Sequence, residues 1–305
     1  MINKVLLEAA SAYWNWYYRD QALQLLTSAA SLSQEILTRV KLNYSHGEAT
    51  VLDTVQASIT YQMRMVEQQE AFNQLRNAKI AVSNFLWNAD GAPVQLLESA
   101  RPVRLDFQWK ISEQELIELT DRARVQHPEL IKLRTKFDQL EYERLLAKEF
   151  LKPRLDLNYA LLNQPGTEQF IDPANDYKLG LDFSFPLWLR KERAKLKMTD
   201  LKLQNTDLET RQQERDIENN IRKVYNDITN TTVLLNRQDV MAQSYERLME
   251  GELLNLRNGE SDLFKINIQQ EKLIQAREKL IKLQAEFEKQ KAYLYWAAGV
   301  APLAD

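Results

Sequence analysis

The side chains that most often do chemistry are scarce in this chain and poorly placed for it. Its 305 residues include 2 His and 0 Cys, which excludes thiolate nucleophiles, disulfides and thiolate metal ligands together. His46 falls in the turn-like Ser45-His46-Gly47 and His127 directly precedes Pro128. Neither has a second His or a carboxylate at ligand spacing in an apolar setting, so both are expected at the surface. Phosphate-binding Gly loops, dinucleotide fingerprints and nucleophile elbows are missing. The acids are spread along stretches of helical periodicity, where they solvate a face or pair at i,i+4. Lys+Arg 40 against Asp+Glu 43 leaves a net charge of −3, which carries no nucleic-acid footprint. No catalytic, cofactor-binding or metal site is expected.

Three groups of residues remain. The first is a pair of similar turns, Tyr44-Ser45-His46-Gly47-Glu48 leading to Asp53, and Arg257-Asn258-Gly259-Glu260-Ser261-Asp262 leading to Lys265. A left-handed helix cap explains each Gly, and Glu48 and Glu260 suit the start of the next helix. The second is an aromatic run. Tyr13, Trp16 and Tyr17 share one helical face while Trp14 and Tyr18 lie on another, so packing against two neighbours is expected in preference to ligand stacking. The third is a pair of alternating segments. Leu155, Leu157, Tyr159 and Leu161 alternate with Arg154, Asp156, Asn158 and Ala160; Tyr177, Leu179, Leu181, Phe183, Phe185 and Leu187 alternate with Lys178, Gly180, Asp182 and Ser184. With aromatics near the ends, this matches the apolar-out, polar-in strands of an outer-membrane barrel, which need ~9–11 tilted residues. The plainer reading is an amphipathic hairpin laid on a soluble core.

The elements that carry these residues follow from the chain breakers. There are only 7 Gly and 8 Pro, and none in 1–46, 48–90 or 187–250. A helix over 190–258 would be about 100 Å long at ~1.5 Å per residue. Ile266, Leu273, Leu280, Phe287 and Leu294 recur every seven residues, and Ile217, Ile221, Val224, Ile228 and Leu235 alternate by threes and fours. This is a coiled-coil pattern, and a turn at Asn258-Gly259 folds the two rods into an antiparallel hairpin. The pattern repeats. Gly47 and Gly259 lie 212 positions apart (259 − 47), and at that offset Tyr13 falls on Tyr225 and Leu42 on Leu254. The halves end in similar letters, Trp87 to Pro93 and Trp296 to Pro302. Two copies of one helical hairpin are expected.

Between the copies, Val103, Leu105, Phe107 and Trp109 predict a short extended segment, Ser112-Glu113-Gln114-Glu115 a capping box, and His127-Pro128-Glu129 a helix reaching about Leu151. The fold class is mainly α: long antiparallel coiled-coil hairpins in two repeats with one inserted amphipathic β-hairpin. Residues 1–92 form the first helical hairpin, 93–153 an equatorial segment with connecting helices, 154–187 the β-hairpin and 188–305 the second helical hairpin. No stretch approaches the ~18 apolar residues of a membrane-spanning helix. Glu8 and Ser11 break any signal peptide at the start, so the chain either stays inside the cell or begins downstream of an export signal.

In this arrangement the chain resembles the outer membrane efflux protein family, the TolC-like exit ducts, over nearly its whole length. Tyr44-x-x-Gly47 followed by Val51-Leu52-Asp53-Thr54-Val55-Gln56 is similar to the family's first tip, and Gly259-Glu260-Ser261-Asp262-Leu263-Phe264-Lys265 to its second. His127-Pro128-Glu129-Leu130 resembles its Asn-Pro-Glu-Leu, and Phe185-Pro186-Leu187 the end of its last barrel strand. The resemblance implies a passive conduit of a tripartite efflux or type I secretion system in the outer membrane of a Gram-negative bacterium, with most of the chain periplasmic. It also implies a homotrimer, an inner-membrane pump and a periplasmic adaptor (membrane fusion protein). The adaptor would dock at the tips, which hold Tyr44, Gly47, Glu48, Asp53, Arg257, Gly259, Glu260, Asp262 and Lys265; the apolar strand positions would face outer-membrane lipid. Asp53 would pair with Arg257 or Lys265 across a closed entrance. Two departures stand out. The family's upstream helix and β-hairpin do not precede Met1, which suggests a truncated chain, and Lys265 stands where the offset from Asp53 would place an acid. The rival expectation is a soluble coiled-coil scaffold or adaptor with a small β-ribbon cap.

Overall fold

The long breaker-free runs become long helices. The computed structural model describes residues 2–103, 112–161, 177–185 and 188–300. In chain order these form α1 (Ile2–Ser45), α2 (Val51–Ser83), α3 (Glu113–Gln126), α4 (Pro128–Glu149), β1 (Arg154–Leu161), β2 (Tyr177–Ser184), α5 (Arg190–Arg257) and α6 (Leu263–Ala297). The 68 residues of α5 make a rod of about 100 Å. The chain divides into two units, Met1–Ala123 with Ile217–Asp305, and Arg124–Asp216.

In the first unit, α1 packs against both α2 and α6, and the end of α5 packs on α6 through Ala242, Ala276 and Leu280. The expected seams are the buried ones. Ile266, Leu280, Phe287 and Leu294 are buried along α6, and Ile217, Ile221, Val224 and Ile228 along α5. Each such side chain contributes about 1.5–3 kcal/mol on burial. Polar clamps fix the register between rods. The buried Gln270 amide donates to Ala29 O at 3.1 Å and Ser33 Oγ at 3.0 Å, joining α6 to α1. Gln238 donates to Ala276 O at 2.9 Å, joining α5 to α6.

The aromatic run is divided between two neighbours, as two-sided burial requires. Trp16 packs with Leu75, Ala78 and Val82 of α2, whereas Trp14 and Tyr17 pack with Ala285 of α6. Tyr17 thus joins Trp14, not Trp16, because a neighbour three residues away leans over the same turn. The Tyr18 hydroxyl donates to Glu278 at 2.8 Å. Burial, then that hydrogen bond and the Glu278 charge, push its pKa up to about 12.

Several boundaries differ from the expected ones. Helix α2 stops at Ser83, not near residue 88, because the Asn88 side chain captures the backbone N–H groups of Asp90 and Ala92 at 3.1 and 2.7 Å. That local turn competes with the helix, and Trp87 then bridges Pro93. Trp296, by contrast, stays inside α6, and Gly299 caps that helix with φ 73°. The two Trp-to-Pro endings, alike in letters, make different turns. The chain after the Asn88 turn is tied back to α1. Arg101 reaches the buried Asp20 carboxylate, and Val103 N–H donates to the Tyr13 hydroxyl at 3.1 Å. The rest of the expected extended segment, including Leu105, Phe107 and Trp109, lies outside the described residues. Ser112 caps α3 by accepting from Glu115 N–H at 3.1 Å.

In the second unit, α4 runs antiparallel to the start of α5. Arg144–Asp200, Lys136–Glu209 and Arg134–Glu214 pair at 2.6, 2.9 and 4.0 Å. Pro128 opens α4 as expected, but His127 is its half-buried N-cap, not a freely exposed residue. Its imidazole accepts from Glu129 N–H, and burial holds its pKa below the usual value against the opposing Glu129 charge. Strands β1 and β2 form a two-stranded antiparallel sheet.

Candidate functional site

The two turns between rods share one hydrogen-bond pattern. In the first, Gly47 N–H donates to Tyr44 O and Glu48 N–H to Asn43 O; in the second, Gly259 N–H donates to Leu256 O and Glu260 N–H to Asn255 O. Every donor and acceptor of one set lies 212 positions from its counterpart. This double bond from C′ and C″ satisfies the last carbonyls of a helix and needs a left-handed residue. Gly47 and Gly259 supply it at φ 79° and 75°. The next helices are capped at equivalent places, by Thr50 before α2 and Asp262 before α6.

Chemistry at the two turns differs. Asp53 closes a capping box with Thr50, accepting from its N–H and its hydroxyl, both at 2.8 Å. The backbone hydrogen bond first, then the hydroxyl, hold its carboxyl below the ordinary carboxylate range. Within the single chain the Asp53 carboxylate is engaged by its own cap at the third helical position; its pairing with Arg257 or Lys265 across a closed entrance concerns the assembled pore. Lys265 instead lies 3.8 Å from Asp262, whose carboxylate already accepts from Lys265 N–H. Tyr44, Glu48, Arg257 and Glu260 are exposed. So is His46, whose Nδ1 sits 2.9 Å from Leu42 O. Beneath the turns Ile36, Leu37, Val40, Ala57, Met249, Leu263 and Ile266 form one core, so four helices meet there. Among the described residues, no three His, Asp or Glu side chains converge as a metal site would need.

A second feature escaped the sequence reading. Helix α1 packs on α2 and α6, α2 also touches α6, and α5 packs on α6; α2 and α5 each carry apolar side chains turned away from their buried seams. On α2 these are Leu52, Val55, Ile59, Met63 and Val66, and on α5 Val240, Met241, Leu248 and Leu254, all exposed. On α2 the signal was present as a second three–four spacing beside the first, but one rod in isolation does not tell which seam is covered.

The β-hairpin keeps all its paired apolar residues on one face. Leu155 opposes Phe183, Leu157 opposes Leu181, Tyr159 opposes Leu179 and Leu161 opposes Tyr177. Leu155, Leu157, Tyr159, Tyr177, Leu179, Leu181 and Phe183 are all exposed. Tyr159 and Tyr177 stack with centroids 5.7 Å apart. The other face is polar, with Asn158 donating to Asp182 at 2.6 Å. Each strand has 8 residues, slightly short of expectation: Phe185 falls past the end of β2, and Leu187 lies outside the described residues. No helix among the described residues is long and apolar enough to cross a membrane.

No protein-family model matches the sequence, and no curated protein matches it. Solved structures do resemble the fold. The Campylobacter jejuni CmeC outer membrane channel matches with TM-score 0.75 at 15% identity, over 99% of this chain and 64% of its own. The Vibrio cholerae outer membrane protein VceC matches with TM-score 0.76 at 13% identity, over 98% of this chain and 70% of its own. The open state of the Neisseria gonorrhoeae MtrE outer membrane channel matches with TM-score 0.75 at 12% identity, over 99% and 67%. The chain thus spans about two thirds of the length of these proteins, and along that span it has the long-helix and β-hairpin fold of outer membrane channels.

Proposed function

We propose that this chain is a wall segment of a passive outer-membrane export conduit, built as two repeats of a helical hairpin and closed as a homotrimer. The observation that carries this reading is the pair of exposed apolar stripes on α2 and α5. Leu52 and Leu254 each lie five positions from their tip glycine, Ile59 and Leu248 twelve and eleven, and Val66 and Met241 nineteen and eighteen. The α5 stripe of one copy can therefore meet the α2 stripe of the next level by level. A heterologous contact of this kind generates a ring when its rotation closes. The exposed apolar face of the β-hairpin is the part that would face lipid, and strand edges there must pair with further strands. The tip residues Tyr44, Gly47, Glu48, Asp53, Arg257, Gly259, Glu260, Asp262 and Lys265 would receive a periplasmic adaptor, with an inner-membrane pump supplying energy. On this reading the protein is not an enzyme; it works in efflux or type I secretion, in the outer membrane with its helices in the periplasm, and segments 1–92 and 188–305 are its tunnel repeats.

The absence of Cys makes a direct test simple. The double variant Ile59→Cys with Leu248→Cys, treated with a short thiol cross-linker, is expected to give a ladder that ends at three copies. Either single variant is expected to give no ladder. A product confined to pairs would mean an isologous dimer, and the absence of any linked species would remove the ring.

A further inference from the structure

At the foot of the β-hairpin, where α4 ends and α5 begins, lies a cleft of about 580 Å³ whose charged lining is Lys152, Arg154, Lys191 and Lys195 with the acids Glu149 and Glu192, beside Phe150. Five cations, Arg190, Lys191, Arg193, Lys195 and Lys197, fall within eight positions at the start of α5, against the single acid Glu192. Only part of this charge is neutralised locally. Lys152 pairs with Glu149 at 2.7 Å and Arg154 with Asp156 at 2.6 Å. Lys195 lies over the Phe150 ring at 5.5 Å and Arg190 over Trp188 at 5.9 Å. Among the described residues Lys191, Arg193 and Lys197 are exposed and have no ion-pair partner. Such a cluster of exposed cations makes a locally positive surface that attracts anions. Phe150 in the cleft, Phe183 next to the lining Ser184, and Trp188 two residues before Arg190 are all exposed, and Trp is a residue type enriched at membrane–water interfaces.

We infer that this cleft holds the phosphate of an anionic phospholipid in the leaflet at the foot of the hairpin. The inference rests on the lipid-facing reading of the hairpin given above. The occupant follows from charge complementarity and from continuity. The cations sit where the apolar face ends, so a lipid whose tails lie on Leu155 and Phe183 presents its headgroup to Lys152, Lys191 and Lys195. A basic residue at an anionic surface strengthens partitioning by roughly fivefold at low salt, so three give on the order of a hundredfold. The test is flotation of the full chain with vesicles of phosphatidylcholine alone, or with about a third phosphatidylglycerol. The variants are Lys152→Gln/Lys191→Gln/Lys195→Gln and Leu157→Asp/Leu181→Asp. The wild-type chain is expected to float with both vesicles, with a preference of tenfold or more for phosphatidylglycerol. The triple Gln variant should keep phosphatidylcholine binding and lose the preference, while the double Asp variant should lose binding to both. A preference that survives in the triple variant, with helicity unchanged by circular dichroism, overturns the cleft assignment. Wild-type failure to float with either vesicle overturns the lipid-facing hairpin and the cleft assignment with it.

Discussion

At the scale of single residues, the three glycines near the tips are chemically identical and conformationally different. Gly47 and Gly259 adopt φ 79° and 75°, while Gly251 lies inside α5 with ordinary helical backbone. An added Cβ would meet nothing within 4 Å at any of the three, so sterics against neighbours cannot separate them and only backbone preference can. A non-Gly residue in the left-handed region costs roughly 1–2 kcal/mol, whereas Ala in a helix interior is better than Gly by about 0.8–1 kcal/mol. Gly47→Ala and Gly259→Ala are therefore expected to destabilise by about 1 kcal/mol each, and Gly251→Ala to stabilise by a similar amount. Urea denaturation followed by helical ellipticity reads all three, and an equal effect at the three sites would contradict the cap geometry. Asp53 teaches a related lesson. Its acid was legible in the sequence as part of a tip, but its capping partner within the chain, Thr50, was not. The nearest donors to a third-position carboxylate belong to its own cap, here Thr50 at 2.8 Å, and short-range geometry decides before any distant cation can.

At the scale of elements, the rods and the hairpin were legible because each is a repeated local choice. The seven-residue spacing from Ile266 to Leu294 selected a helix seam, and the alternation from Leu155 and from Tyr177 selected strands whose apolar residues then paired across the ladder. What the sequence hid were decisions made by one or two groups. Helix α2 ends early because of the Asn88 turn, and residues 93–103 return to α1 because Asp20 is buried there. Asp20 is 1% exposed whereas the Arg101 side chain is 60% exposed, and this asymmetry sets the outcome of deleting each partner. Arg101→Ala leaves a buried carboxylate held only through Oδ2, by Gln24 at 2.7 Å and Gln21 at 3.4 Å. Removing one partner of a fully buried pair costs ~3–5 kcal/mol, and water access through the exposed Arg101 position reduces this to about 1–3 kcal/mol. Asp20→Asn leaves an exposed cation that water accommodates, so adding it to Arg101→Ala is expected to recover much of the loss. Urea midpoints of the two single variants and the double variant measure this directly. Strict additivity would mean that the carboxylate is not what Arg101 stabilises.

At the scale of the whole molecule, the helical surfaces and the strands make different demands on assembly. The proposed helical ring would close with what each copy displays, since α2 and α5 both carry exposed apolar side chains. The barrel cannot. Two described strands per copy give six in a trimer, and bacterial outer-membrane barrels have at least ~8. Every strand edge left open in lipid exposes backbone groups that cost several kcal/mol each when unsatisfied. Six strands would also have to curl so tightly that the lumen-side Asp156, Asn158, Lys178 and Asp182 crowd one another. We therefore expect the 305-residue chain to assemble through its helices, giving the three-copy ladder, and yet to form no steady pore in a planar bilayer. Conductance recording on the cross-linked trimer separates the two demands. Brief irregular leaks are the expected record. Steps of reproducible size would show that strands beyond the two described ones complete the barrel, or that more than three copies share it, and a cross-linking ladder running past three copies would then overturn the trimeric closure.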